Sequence, residues 1–365
     1  MNEELEARRP RLGPSRSVVR DGDATCYIMT SGRELLRCQG TQVSLLVDQL
    51  LPLMDGTRTV GEIRAALAGK PEAGSVDTLL DLLWAHHVVV DVGPEQAFSA
   101  DELRAFGGVV ALLSRSFPDP YRPLERLRQA RVVVVGHSEL SRELVLALAE
   151  CAIGAIELVT EGAPVSLEVQ LPVRVQAHPI EALEAVVPGA SLVIGVQDGE
   201  FSFTRRMREL NRLCLRLGSS LLAVRLTLDA EGWIGPLHTP GTACFECVNL
   251  RQESHLKAWK EQLLHCAQVE QGLLVGKRLG FPPFQRQLAN AVAVEVLLQL
   301  TGLEPSRLSG RSLLVDVLTQ ERSLHPVLKH PACPACGHSP AARVFPWGDE
   351  EIRLGRMLLK QEEGR

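Results

Sequence analysis

Aromatic side chains are scarce in this chain, at 4% of 365 residues, with four Trp and two Tyr. Surfaces that stack successive nucleic-acid bases need such rings, so the scarcity argues against that mode of binding. The formal net charge is -5, which removes any general attraction to nucleic acid or anionic lipid. No run approaches the length of apolar sequence that a membrane-spanning helix requires. The opening residues, MNEELEARRPRLG, are charged and lack the apolar stretch of a secretory signal. Internal repeats and low-complexity tracts are missing too. What the chain has in quantity is material for cores. It is 45% hydrophobic, and its length suggests two or three domains.

The nine cysteines are an odd number, and four of them are patterned. Cys244-Phe-Glu-Cys247 and Cys333-Pro-Ala-Cys336 are two Cys-x-x-Cys pairs, the second running into Gly337. Each such knuckle turns back on itself, so two of them can aim four sulfurs at one ion. That is the ligand set of a closed tetrahedral zinc site, structural rather than catalytic because no coordination position stays open. Pro334 stiffens the second turn and Gly337 frees the backbone after it. One pair alone would read equally well as a vicinal dithiol or a redox motif. Cys26, Cys38, Cys151, Cys214 and Cys266 are scattered among apolar neighbours and read as ordinary buried thiols. This usage fits a reducing cytoplasm.

Along the chain, residues 1–16 are polar and are expected to be disordered. Residues 17–93 read as a small α+β domain of winged-helix type. Three short strands (SVVR, ATCYIMT, RELLRCQ) are separated by Asp21-Gly22 and Ser31-Gly32, and helices follow over 43–54, 59–67 and 75–87. Thr59 and Glu62 form a capping-box signature, and VVVDV at 88–92 closes the unit. Residues 94–124 read as a linker with one helix, capped at Ser99 and ended by Pro118, Pro120 and Pro123. From 125 to 345 apolar strands alternate with helices, which predicts a doubly wound α/β domain. It begins with the buried strand RVVVVG; a loop is expected after Trp233, then the first knuckle, two helices, a hairpin and the second knuckle. Residues 346–365 form a tail.

A nucleotide site in such a domain would follow the first strand, where a Gly-x-Gly-x-x-Gly turn lets backbone amides reach phosphate. This chain has Gly136, His137, Ser138, Glu139, Leu140 and Ser141 there. Only the first glycine is kept, and Glu139 puts a carboxylate where phosphate would lie. The strand IELVT is followed by Glu161 rather than by an aspartate suited to ribose. We read 136–139 as a degenerate nucleotide loop, with ATP binding not expected. Asp198 ends the fourth strand, where a metal or nucleotide contact could survive, though a polar strand-end turn explains it as well.

The histidines make poor catalytic candidates. His86 and His87 end a helix, where a cation suits the dipole. His325, His330 and His338 flank a knuckle whose ligands are already complete. No Ser-His-Asp or Cys-His pattern stands out. The N-terminal domain is acidic, with 13 Asp/Glu against 10 Lys/Arg over residues 1–94, and its third helix carries Asp77 and Asp81 with no Lys or Arg. DNA reading by that helix is therefore not expected. An open strand edge beside an apolar helix suits an extended peptide instead.

At these segments a resemblance emerges. Residues 17–92, with RELLRCQG and MDGTRTVGEI, resemble the PqqD-like RiPP recognition element. WIGPLHTPGTACFEC and HPVLKHPACPACG resemble the E1-like (ThiF-related) proteins of thiazole/oxazole-modified microcin (TOMM) biosynthesis. The resemblance implies a leader-peptide-binding, non-catalytic partner of a YcaO cyclodehydratase, the enzyme that uses ATP to convert Cys, Ser or Thr of a precursor to azolines. It also implies that the leader lies against strand 33–39 and helix 75–87, with Arg33, Leu35 and Arg37 on the strand side and Leu79, Leu82 and Leu83 on the helix side. The sequence carries no segment like YcaO, so a separate catalytic chain is expected. The sequence leaves the oligomeric state open, although E1-like domains commonly dimerise and a homodimer is possible. The alternatives are an active ATP-dependent adenylating enzyme of the E1 type and a winged-helix regulator.

Overall fold

The computed structural model describes residues 3–29, 35–40, 43, 45–69, 73–161, 170–199, 204–239, 241–254, 259–271, 273–274 and 280–337. The chain divides into two compact units, Met1–Leu127 and Arg128–Arg365. Arg33, His338 and the tail 346–365 lie outside the described residues.

The first unit opens with α1 (Glu3–Glu6) and β1 (Pro10–Leu12). Next come β2 (Ser17–Arg20), β3 (Thr25–Met29) and β4 (Leu35–Gln39), which form an antiparallel sheet in the order β2-β3-β4. A wide helical turn at Leu45–Leu50 runs into α2 (Leu51–Leu53). Then α3 (Val60–Leu67) starts at Thr59 with a complete capping box: Thr59 accepts from the Glu62 amide, and Glu62 accepts from the Thr59 amide. In α4 (Ala73–Ala85), Val76, Leu79, Leu80, Leu83 and Trp84 are buried, the i, i+3, i+4, i+7 and i+8 stripe of an amphipathic helix. They join Leu46, Leu50, Ile63, Cys26 and Ile28 in one core.

Two expectations are corrected here. Residues 3–16 are not a disordered arm. The strand β1 pairs antiparallel with β5 (Val89–Asp91), Gly13 donates to the Val88 carbonyl, and Arg64 bridges Glu6 and Asp77. The β5 partners lie some 80 residues downstream and Arg64 lies 58 residues from Glu6, so a local reading of a polar segment could not find them. Residues 94–124 are not a linker either. They form a 3₁₀ turn (Gly93–Ala97), α5 (Ala100–Ala105), α6 (Gly107–Leu113) and the start of α7 (Tyr121–Gln129). Phe106, Leu113, Tyr121, Leu124 and Leu127 are all buried. The Tyr121 hydroxyl donates to Glu95 and accepts from Arg11.

The second unit is built on eight strands. Five are parallel: β6 (Arg131–Val135), β7 (Ala155–Thr160), β8 (Arg174–Pro179), β9 (Leu192–Asp198) and β10 (Leu221–Leu226), in the spatial order β8-β7-β6-β9-β10. Every residue of β9 is buried, as a central parallel strand requires. The helices α8 (Glu139–Glu150), α9 (Leu183–Val186) and α10 (Thr204–Leu217) make the crossovers. The sheet continues antiparallel through β11 (Glu231–His238), β12 (Arg311–Asp316) and β13 (Arg322–Pro326). Between β11 and β12 lie α11 (Phe245–Ser254), α12 (Trp259–Glu270) and α13 (Pro282–Thr301), which packs on α8.

The loop expected after Trp233 is instead the strand β11. Its Gly232, Gly235 and Pro236 read as loop punctuation, yet the glycines serve close packing. A Cβ on Gly235 would lie 2.7 Å from the Arg311 carbonyl oxygen, and one on Gly232 would lie 2.6 Å from Leu288. The strand order reverses between β6 and β9. Their carboxyl ends therefore frame the crevice where open α/β sheets hold ligands.

The first unit's core predicts its own weak point. Ile63→Ala, at a fully buried site, should lower stability by about 2–5 kcal/mol. Thr59→Ala should cost only about 1 kcal/mol through the lost cap. Denaturant unfolding of the full chain checks both, and an Ile63 effect no larger than the cap's would contradict this packing.

Candidate functional site

The two knuckles meet. Cys244 immediately precedes α11 and Cys247 lies in its first turn, while Cys333 and Cys336 lie in the turns after β13. The four sulfurs all lie within 4.8 Å of one another. Sγ separations are 3.9 Å for Cys244–Cys247, 3.7 Å for Cys244–Cys333 and 3.4 Å for Cys247–Cys336. A tetrahedron of sulfurs about 2.3 Å from zinc has edges of about 3.8 Å, so the residues fit that ion. Three of the thiols are buried and Cys336 is half-buried, which leaves no room for a substrate position.

The surroundings hold the cluster in shape. The His330 amide donates to Cys247 Sγ at 3.3 Å, and the Gly337 amide donates to the Cys333 carbonyl at 2.8 Å. A Cβ on Gly337 would sit 2.5 Å from that carbonyl, so the glycine after the second knuckle is a packing requirement. Cys247 is held well below the usual thiol range, first by the hydrogen bond from Cys244 and then by those of the other two thiols. Cys336 is lowered too, first by its hydrogen bond with Cys244, and crowded thiols with two sulfurs favoured as thiolate are a natural precursor to metal binding. Asn211 and Arg208 of α10 anchor the first knuckle: Asn211 Oδ1 accepts from the Phe245 amide, and Arg208 pairs with the buried Glu246. Spacing along the sequence gives no sign of these two supports.

Among the described residues, the metal-ligating side chains that gather here are the four cysteines, and no histidine joins them. His325 packs at a tilt against Trp233 and shares a hydrogen bond with Ser323, and His330 contributes its backbone. His87 sits at φ +52 just past α4, and burial lowers its pKa, so it favours the neutral ring over the helix-end cation expected for it.

At the sheet crevice, Gly136 follows β6 and Ser138 caps α8 by accepting from the Ser141 amide. Glu139 is exposed in the first helical turn and pairs with Arg142 at 3.6 Å. The helix terminus is thus served by the chain's own hydroxyl and carboxylate, the groups a phosphate would replace. A Cβ at Gly136 would lie 2.2 Å from Ser141 Oγ and 3.0 Å from Val196 Cβ, so packing alone accounts for the surviving glycine. Glu161, at the end of β7, is paired with Arg206 of α10 at 2.9 Å. Asp198 is buried and accepts from Gln285 of α13 at 2.9 Å. Sequence spacing could not anticipate a partner 87 residues away.

The expected peptide-contacting residues divide. Leu79 and Leu83 are core, at 4% and 0% exposure, because they lie on the buried stripe of α4. Leu82 lies off that stripe and is 38% exposed. Arg37 is exposed on β4, and the Leu35 backbone starts that strand opposite Met29. Among the described residues β4 pairs only with β3, so its outer edge is open.

The metal centre generates a prediction. The purified protein should carry one zinc per chain by elemental analysis, and Cys333→Ser should lose it and lower the melting temperature of the second unit, since binding and folding are coupled in such sites. Unchanged zinc content and melting in that variant would remove the four-ligand assignment.

No known family model matches the chain, and no curated protein does either. Solved structures do. The heterocyclase TruD superposes with a TM-score of 0.63 at 20% identity, over 90% of this chain and 43% of TruD. The chain therefore spans less than half the length of that protein. The microcin C7 biosynthetic enzyme MccB in complex with N-formylated MccA gives a TM-score of 0.60 at 14% identity, over 90% of this chain and 99% of MccB. Escherichia coli MccB with AMPCPP and MccA gives the same TM-score and identity over the same shares. The chain has the fold that TruD and MccB share.

Proposed function

We propose that this chain binds the leader of a ribosomal precursor peptide and presents it to a separate YcaO-type cyclodehydratase, without catalysing a step itself. The observation that carries the reading is the filled crevice. In a fold shared with a protein solved with AMPCPP and a peptide, Ser138 and Glu139 occupy the helix terminus and Arg206 engages Glu161. The fold likeness to a heterocyclase and to a peptide-bound enzyme supports a place in RiPP biosynthesis of the azoline-forming, TOMM kind. A closed zinc site has no position for chemistry and serves as a clamp.

The leader would add to the open edge of β4, whose backbone groups supply hydrogen bonds, while side chains beside it set specificity. Arg37 and Leu82 are the exposed residues for that role; Leu79 and Leu83 would act through the core beneath, and Arg33 lies outside the described residues. Homodimerisation and residence in the cytoplasm belong to the same reading. An active adenylating enzyme is the competing reading, favoured by the cover of nearly all of MccB.

Titrating the isolated protein with a fluorescent precursor peptide encoded beside its gene should give saturable binding. Leu82→Asp and Arg37→Glu should each weaken it about tenfold, roughly 1.4 kcal/mol, with unchanged circular dichroism. The same protein should show no ATP–pyrophosphate exchange. Exchange activity, or no saturable binding to any neighbouring precursor, would overturn the proposal.

A further inference from the structure

Two of the five thiols outside the metal centre face each other. Cys26 of β3 and Cys38 of β4 are direct cross-strand partners, flanked by the pairs Thr25–Gln39 and Tyr27–Arg37. Directly opposed residues of an antiparallel pair present side chains on one face, with Cα atoms about 4.5–5.5 Å apart. A disulfide spans Cα separations of about 4.4–6.8 Å, so the strand register meets that requirement without backbone movement. Both are free thiols. Cys26 is fully buried in the first unit's core, and Cys38 is half-buried against it. Burial, and then Cys38 itself, push the Cys26 thiol up to about 11, while Arg20, opposite it on β2, pulls the other way. Cys26 is therefore a protected thiol, and Cys38 is the one a solute reaches.

We propose that Cys26 and Cys38 form a reversible thiol pair that a small disulfide such as oxidised glutathione closes to a cross-strand disulfide. In the first step the Cys38 thiolate attacks one sulfur of the small disulfide. The sulfur–sulfur bond breaks, one small thiolate leaves with the electron pair and takes up a proton, and a mixed disulfide remains on Cys38. In the second step Cys26 loses its proton to solvent and attacks Cys38 Sγ, expelling the second small thiol. Two protein thiols are oxidised, and one small disulfide is reduced to two thiols. The second step is the slow one, because little of the buried thiol is ionised. The bond would fasten the edge strand of this sheet to its centre.

Arg20, Arg33, Arg37 and Arg58 make the test direct, because trypsin places Cys26 on peptide 21–33 and Cys38 on peptide 38–58. The full-length, zinc-loaded protein is incubated with oxidised glutathione, digested without reductant and mapped by mass spectrometry. The expected result is peptide 21–33 linked to 38–58, separated by added reductant, with zinc content unchanged. Cys26→Ala should leave a lasting glutathione adduct on Cys38. A wild-type map that keeps that adduct with no linked peptide, or that links either cysteine elsewhere, would overturn the proposal, and this readout does not depend on any variant folding.

Discussion

The second unit is organised around one constraint: four thiols from two distant segments lie within 4.8 Å of one another, a set that could hold a metal ion. Two of them come from the start of α11 and two from the last turns after β13, so a filled cluster ties the antiparallel extension of the sheet back onto the helix that follows β11. That closure fixes the hairpin of β12 and β13 at the sheet edge and seats the first knuckle on Asn211 and Arg208 of α10. The α10 helix also carries Arg206, which holds Glu161 at the mouth of the crevice. A clamp remote from the crevice thus shares a helix with it.

The crevice has the topology for a nucleotide, and the proposed reading rests on the side chains found there. Strand order places a helix terminus at the reversal between β6 and β9, the position where phosphate is bound in such sheets. Ser138, Glu139 and the tight contacts of Gly136 then use that position for the chain's own packing and capping. Among the described residues β4 is an edge strand, as β2, β8 and β13 are, and it is the edge that the proposed leader would extend.

Much of this was legible in the sequence. The Cys-x-x-Cys pairs are local patterns with a fixed geometry, and the four sulfurs meet as the spacing implies. Thr59 and Ser99 cap helices as their i, i+3 glutamates predict. Other features depend on long-range pairing and were not legible. β1 finds its partner β5 some 80 residues on, β11 looks like a loop until β10 and β12 flank it, and Asp198 meets Gln285 across the unit. The placing of Leu79 and Leu83 on the peptide-facing side had a signal against it, since both fall on the i, i+3, i+4, i+7 stripe with Val76 and Leu80, whereas Leu82 does not.

Hydrogen–deuterium exchange of the full chain, alone and with either the precursor peptide or ATP, tests the central claim most directly. The account predicts that peptide slows amide exchange over Leu35–Gln39 and that ATP leaves Gly136–Ser141 unchanged. Protection of Gly136–Ser141 by ATP, with β4 indifferent to the peptide, would contradict it.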